Sequence, residues 1–196
     1  MTISKGLQVY PRIEYLRRLA ALKAEMGRCE NGALVTNSSN ITSLTGSFAR
    51  SYSLDGLVVM ADKKRRRSSG VPSMFRPFVH PTFVETGNVI GYSDDYVGRA
   101  NKNGYDTVTD VRHQASLANC SVGIEFDGSY GLGLGMTTPH LAEKFKERLA
   151  KSVARTKVDW VRIVMSDLEV AVMRDAAAIA DAAILYSASP KHAWGY

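Results

Sequence analysis

Residues that could carry chemistry are few in this chain and do not gather. The four histidines, His80, His113, His140 and His192, lie in separate segments. None stands in an H-E-x-x-H or at a two-histidine spacing on one helix face, so a zinc site has no local ligand set. Asp94-Asp95 and the pair Asp106 and Asp110 are acidic but lack a histidine companion. Asp106 and Asp110 share one helical face, where a solvated surface is the plain reading and a lone pair of metal ligands the rival one. No serine occupies a G-x-S-x-G elbow. Gly131-Leu132-Gly133-Leu134-Gly135 has the look of a phosphate loop. It lacks the lysine of a P-loop and the acidic partner of a dinucleotide fold, so it reads as a flexible entry to a helix. Cys29 and Cys120 are far apart, form no C-x-x-C, and read as free thiols in a reducing compartment. These residues argue against catalysis by the chain alone: no catalytic and no metal-ligating residue is assigned.

Charge offers one further candidate. The net charge is +6, and Lys63, Lys64, Arg65, Arg66 and Arg67 form an uninterrupted block. A nucleic-acid patch is one reading, with steep salt dependence as its signature. Readers of nucleic acid spread cations over a folded face and interleave aromatics. This block runs instead into Ser68-Ser69-Gly70 and proline-rich sequence. It reads as a solvated basic loop, and nucleic acid is disfavoured as a partner.

The elements that would position any site follow from periodicity. At 196 residues with 45% hydrophobic content, the chain can bury one sizeable core. Leu16, Leu19, Leu22 and Met26, with Ala20, predict an amphipathic helix after Pro11, with Arg17, Arg18, Lys23 and Glu25 on its other face. Ala33 to Val35 predict a strand. Asn40 is placed as the N-cap of a short helix carrying Ile41 and Leu44, and Gly46 as its left-handed stop. Leu57 to Met60 predict a second, buried strand. From Lys63 to Pro81 neither period is present, and Pro72, Pro77 and Pro81 oppose helix interior and central strand alike. That stretch is either a long irregular loop or a disturbed coding frame. Val89 to Tyr92 and Ser121 to Phe126 predict strands, and Tyr105 to Leu117 a helix. Thr138, Pro139, Leu141, Phe145 and Leu149 predict another helix, and Val158 to Val164 a last strand. Ser166-Asp167-Leu168-Glu169 is a capping box that starts a final helix through Met173, Ala177, Ala180 and Ile184. The expected class is α/β, a three-layer domain with a mixed central sheet of about five or six strands flanked by helices.

Three stretches in this order resemble the amino-terminal domain of the creatinase, prolidase and aminopeptidase P family. They are Y-L-x-R-L-x-x-L-x-x-x-M at Tyr15 to Met26, T-N-x-x-N-I-x-x-L-T-G at Thr36 to Gly46 followed by G-L-V-V at Gly56, and S-x-x-E-x-x-x-M-R-x-A-A-x-I-A-D-A at Ser166 to Ala182. The pattern V-I-G-Y-x-D-x-Y-V at Val89 to Val97 leans towards ectoine hydrolase-like members and Xaa-Pro peptidases. The resemblance implies a creatinase/prolidase-type domain over residues 1–164, a linker helix over 165–185 and an atypical tail over 186–196. It implies hydrolysis of an amide-type C–N bond in a small substrate, such as an Xaa-Pro dipeptide, carried out by a following pita-bread domain. That domain would hold a divalent metal centre (Mn, Co or Zn), and this chain no cofactor. It also implies a homodimer in which Phe48, Arg50 and Tyr52 approach the rim of a substrate pocket, although ordinary strand residues remain an equal reading of those three. Rival readings are a stand-alone assembly module, a partner for a separately encoded catalytic domain, and a truncated gene product. The amino terminus lacks the apolar core of a secretory signal and no apolar run nears the ~20 residues of a membrane span, so the expectation is a cytoplasmic protein with no membrane partner.

Overall fold

The computed structural model describes residues 9–27, 32–47, 56–60, 68–79, 81–96, 104, 106, 107, 121–125, 147, 153–155 and 158–188. Two compact units are present, Met1–Val161 and Arg162–Tyr196.

The first unit is built on a six-stranded mixed sheet. Its strands are β1 (Gly32–Val35), β2 (Gly56–Met60), β3 (Ser68–Pro72), β4 (Val89–Tyr92), β5 (Val122–Ile124) and β6 (Val153–Arg155), in the spatial order β4-β3-β2-β1-β5-β6. β1 pairs antiparallel with β2, which pairs antiparallel with β3. β4 runs parallel to β3, β5 parallel to β1, and β6 parallel to β5. Every residue of β1 and β2 is buried. Because side chains alternate across a strand, the pairs Ala33–Val59 and Val35–Leu57 share one face of the sheet and Leu34–Val58 the other. On the first face, Leu22 and Met26 of α1 (Arg12–Met26), Ile41 and Leu44 of α2 (Ser38–Thr45), and Val79 of the single-turn α3 (Arg76–Val79) complete one apolar cluster with Val71, Val84, Val89 and Val158. The class is α/β, a mixed sheet with flanking helices, as the pattern predicts.

Three local expectations are corrected. The stretch from Lys63 to Pro81 is not irregular throughout. Ser68–Pro72 forms β3, inside the sheet, and a 3-10 turn at Ser73–Phe75 leads into α3. Two serines and a glycine conceal the strand because they supply no apolar alternation, and Pro72 sits at its last position, where a missing N–H costs little. The turn and α3 close on β4 at Gly91. A Cβ there would meet Arg76 Cδ, and Ser73 Oγ at 2.8 Å, so a side chain at this position would require the Arg76 and Ser73 side chains to move.

The apolar run from Val158 to Val164 is not a strand. Val158–Ile163 is a helix, α4, and β6 precedes it. Hydrophobicity alone does not separate the two for a short run. Val158 alone inserts into the core, while Trp160, Ile163 and Val164 are exposed.

The buried stripe of α1 is also turned relative to expectation. It comprises Glu14, Tyr15, Arg18, Leu22 and Met26. Leu16 and Ala20 face solvent, and Leu19 is partly buried against the core.

In the second unit, Asp167–Ser187 forms α5. Ser166 caps it with the reciprocal bonds of a capping box: its Oγ accepts from Glu169 N (3.3 Å), and its N donates to Glu169 Oε2 (2.8 Å). No residue of α5 is buried. No helix among the described residues is long and apolar enough to cross a membrane. Of the helix expected from Tyr105 to Leu117, Asp106 and Thr107 are described and are helical. The basic block Lys63 to Arg67, the glycines 131 to 135 and the helix expected from Thr138 fall outside the described residues, apart from Glu147, which is helical.

Candidate functional site

β1 is the point where the strand order turns. β2, β3 and β4 succeed it on one side, while β5 and β6 lie on the other. In open α/β sheets the crevice beyond the carboxyl ends of strands at such a switch point is where ligands bind. Here β1 and its parallel neighbour β5 end together, with Leu34 beside Ile124. Thr36 and Asn37 continue from β1 into α2, and Glu125 follows β5.

Glu125 stands at these strand ends. It is 6% exposed. Its Oε2 accepts from Thr36 N at 2.6 Å, from Asn37 N, and from Thr36 Oγ1 at 3.5 Å. Its Oε1 accepts from Asn40 Nδ2 at 2.5 Å. The same Nδ2 donates to Asp159 Oδ1, in the first turn of α4, at 2.9 Å. An anion set against the free N–H groups and positive dipole end of a helix is a favourable arrangement, and the protein supplies its own. Burial pushes the Glu125 carboxyl above its ordinary value. The N–H groups of Asn37, Asn40 and Thr36 pull it down, and Asp159 pushes it up. The net direction is upward, because desolvation outweighs the dipoles.

Asn37, not Asn40, is the N-cap of α2; its side chain accepts from Ser39 N at 2.9 Å. Asn40 is one turn further on, fully buried, and its amide serves the two carboxylates. At the other end of α2, Gly46 takes the left-handed conformation (φ 76°) expected of it. Thr42 Oγ1 donates to the Ser38 carbonyl at 2.8 Å and lies 2.5 Å from the Ser47 carbonyl, and Ser47 N donates to Thr45 Oγ1 at 3.1 Å. Both ends of this eight-residue helix are therefore tied.

A second polar cluster fastens α1 to α2. Glu14 receives Arg17 Nε and Nη2, each at 2.8 Å, and Arg18 Nε at 2.9 Å. Arg18 Nη1 donates to the Ser43 carbonyl at 3.0 Å. Its guanidinium lies 4.5 Å from the centre of the Tyr10 ring and 5.4 Å from that of Tyr15, within cation–π range. Sequence periodicity assigns Arg18 to the solvated face. Its short spacing from Glu14 is the signal that pointed inward.

Neither cluster has the form of a reaction centre. A general base needs a lone pair open to substrate. Glu125 has its oxygens occupied by N–H donors and is closed to solvent. Among the described residues, no group of three or more His, Cys, Asp or Glu side chains could hold a metal ion, so they do not fit a dinuclear centre. Of the acidic residues considered for chemistry, Asp94 and Asp95 are exposed on a 3-10 turn, where Ser93 Oγ donates to Asp95 at 3.1 Å, and Asp106 is buried. Asp110, the four histidines, and the rim candidates Phe48, Arg50 and Tyr52 lie outside the described residues. The Glu125 junction went unseen in the sequence because its members are separated by 85 to 119 positions. The available hint was an acid directly after a buried strand.

No protein-family model matches the chain. It is 42% identical over 193 residues to an uncharacterized hydrolase/peptidase of Sinorhizobium fredii, an alignment that takes in 94% of this chain and 47% of that protein. The chain thus spans about half the length of the curated relative it matches. Among solved structures, a dipeptidase from Pyrococcus horikoshii superposes with a TM-score of 0.59 at 18% identity, over 86% of this chain and 43% of its own. The creatinase/prolidase N-terminal domain of an X-Pro dipeptidase from Streptococcus pyogenes gives 0.57 at 14% identity, over 76% of this chain and 98% of that domain. The N-terminal domain of an Xaa-Pro dipeptidase from Lactobacillus brevis gives 0.54 at 18% identity, over 76% and 99%. Such identities establish architecture, and the architecture agrees with the motif order at Tyr15, Thr36 and Ser166: the chain folds as a creatinase/prolidase amino-terminal domain.

Proposed function

We propose that this chain is the non-catalytic amino-terminal domain of a metal-dependent hydrolase that cleaves an amide-type C–N bond in a small substrate, of the Xaa-Pro peptidase, creatinase or ectoine hydrolase type. The observation that carries the reading is coverage. The chain aligns with nearly the whole of an isolated peptidase N-terminal domain, but with less than half of a complete dipeptidase and of its hydrolase/peptidase relative. The divalent metal, Mn, Co or Zn, belongs in this reading to the other half, and the assembly is a cytoplasmic homodimer.

The domain's own task is to build the dimer and shape the rim of the substrate pocket. Phe48, Arg50 and Tyr52 follow directly on the tied end of α2. A helix fixed at both ends gives the segment after Ser47 a defined point of departure, which is what a rim requires. Arginine offers a fork for a substrate carboxylate, and tyrosine a ring face with a hydroxyl.

The test is reconstitution. The purified chain is mixed with the carboxyl-terminal half of the Sinorhizobium relative in the presence of Mn²⁺, and Xaa-Pro dipeptide hydrolysis is followed. The expected result is stable association with turnover above that of either part, and a raised KM for Arg50→Ala and Tyr52→Ala. Absence of association, or a carboxyl-terminal half fully active by itself, would remove the role assigned to this domain.

A further inference from the structure

α5 is 21 residues long and none of them is buried. A helix in water draws most of its stability from packing an amphipathic face. α5 has such a face. Val172, Ala176, Ile179, Ala183 and Tyr186 follow one another at alternating spacings of four and three, and so line one side. All five are exposed. Asp167, Arg174 and Asp181 lie on the opposite side. Along the seam the sizes alternate: a large side chain, then an alanine, then a large one again.

We infer that this seam pairs two copies of the chain, with α5 packed antiparallel against α5 of a second copy. The alternation is self-complementary about the middle of the helix. With a two-fold axis crossing between Ala177 and Ala178, Val172 lies opposite Ala183 of the partner subunit, and Ile179 opposite Ala176 of the partner subunit. Symmetry repeats both pairs, so each of the central layers holds one β-branched side chain and one alanine. Layers of equal volume let the two helices approach closely without voids. The same register overlaps α5 along its whole length.

A parallel pair lacks this fit. It would set isoleucine against isoleucine at 179 and alanine against alanine at 176, so crowded layers would alternate with cavities. It would also align the two helix dipoles, which the antiparallel pair opposes. A partner of different sequence would need no such symmetry about the midpoint of α5. The symmetry is what selects a second copy as the occupant.

Sedimentation velocity of the full chain over a wide concentration range tests the seam, with circular dichroism as the check on folding. A concentration-dependent dimer is expected. Ala176→Leu sets a second large side chain against Ile179 of the partner subunit and should weaken association by about tenfold or more. Adding Ile179→Ala returns each layer to one large and one small residue, so the double variant should recover most of the affinity. Ala178→Leu, on the opposite side, should leave it unchanged. A parallel pair or an unspecific apolar contact would instead gain from the leucine at 176. All three positions are exposed, so the core of the first unit is not disturbed. The inference rests on the homodimer of the proposed function, and the two fail differently. A wild-type chain that stays monomeric removes both. A dimer that Ala176→Leu leaves intact or tightens removes the seam and keeps the homodimer.

Discussion

Glu14 and Glu125 are both buried in the first unit, and they are accommodated by opposite means. Glu14 has two guanidinium groups from its own helix, three and four residues away. Among the described residues, Glu125 is held by N–H dipoles from residues 85 to 89 positions distant. The first arrangement balances charge locally and secures one helix to the next. The second closes the end of the sheet, where strands β1 and β5 finish together, and does so with N–H dipoles. A buried acid is therefore no sign of a reaction centre in itself. What matters is whether an oxygen remains available, and in neither residue does the geometry leave one facing solvent.

Substitutions separate the two modes by size. Glu125→Ala should have the largest effect, about 4 kcal/mol of lost stability in chemical denaturation, because it strands several buried donors at once. A loss below about 1 kcal/mol would mean that water replaces the carboxylate and that the clamp is unimportant. Arg18→Ala should cost about 3 kcal/mol, since it breaks a buried pair and removes the contacts with Tyr10, Tyr15 and the Ser43 carbonyl. A cost like that of a surface residue would place the attachment of α1 in Leu22 and Met26 alone.

Gly46→Ala tests the far end of the clamped helix. With φ at 76°, a side chain is strained there, and about 1 kcal/mol should be lost. The smallest effect belongs to Arg17→Ala. Its side chain is 54% exposed, and solvent screening should hold the change below about 0.5 kcal/mol. Comparable losses for Arg17→Ala and Arg18→Ala would contradict the division of labour on Glu14.

How much of this is legible in the sequence depends on the distance over which each feature is decided. Ser166 with Glu169, and Gly46 after Leu44, are local devices, and their residue types announce them. β1 and β2 are apolar runs buried on both faces, which periodicity finds readily. The orientation of α1 is less accessible. Its buried side contains Glu14 and Arg18, and hydrophobic patterning places such residues outside unless their pairing is weighed. β3 is invisible to patterning because Ser68, Ser69 and Gly70 earn their place only through neighbours on both sides. At α4, Val158 alone is inserted, so a run of apolar letters suggests a strand that the tertiary structure does not build. The Glu125 junction is the extreme case: Asn40 looks like a cap, Glu125 like a strand end, Asp159 like surface, and only the fold brings them together.

In the proposed function, this domain positions a reaction centre supplied by another part of the protein. The direct measurement is turnover of an Xaa-Pro dipeptide by the purified chain alone, at high enzyme concentration, with Mn²⁺, Co²⁺ or Zn²⁺ added in turn. Hydrolysis indistinguishable from the metal-only control is predicted. Saturable, metal-dependent turnover that copurifies with the chain would contradict it.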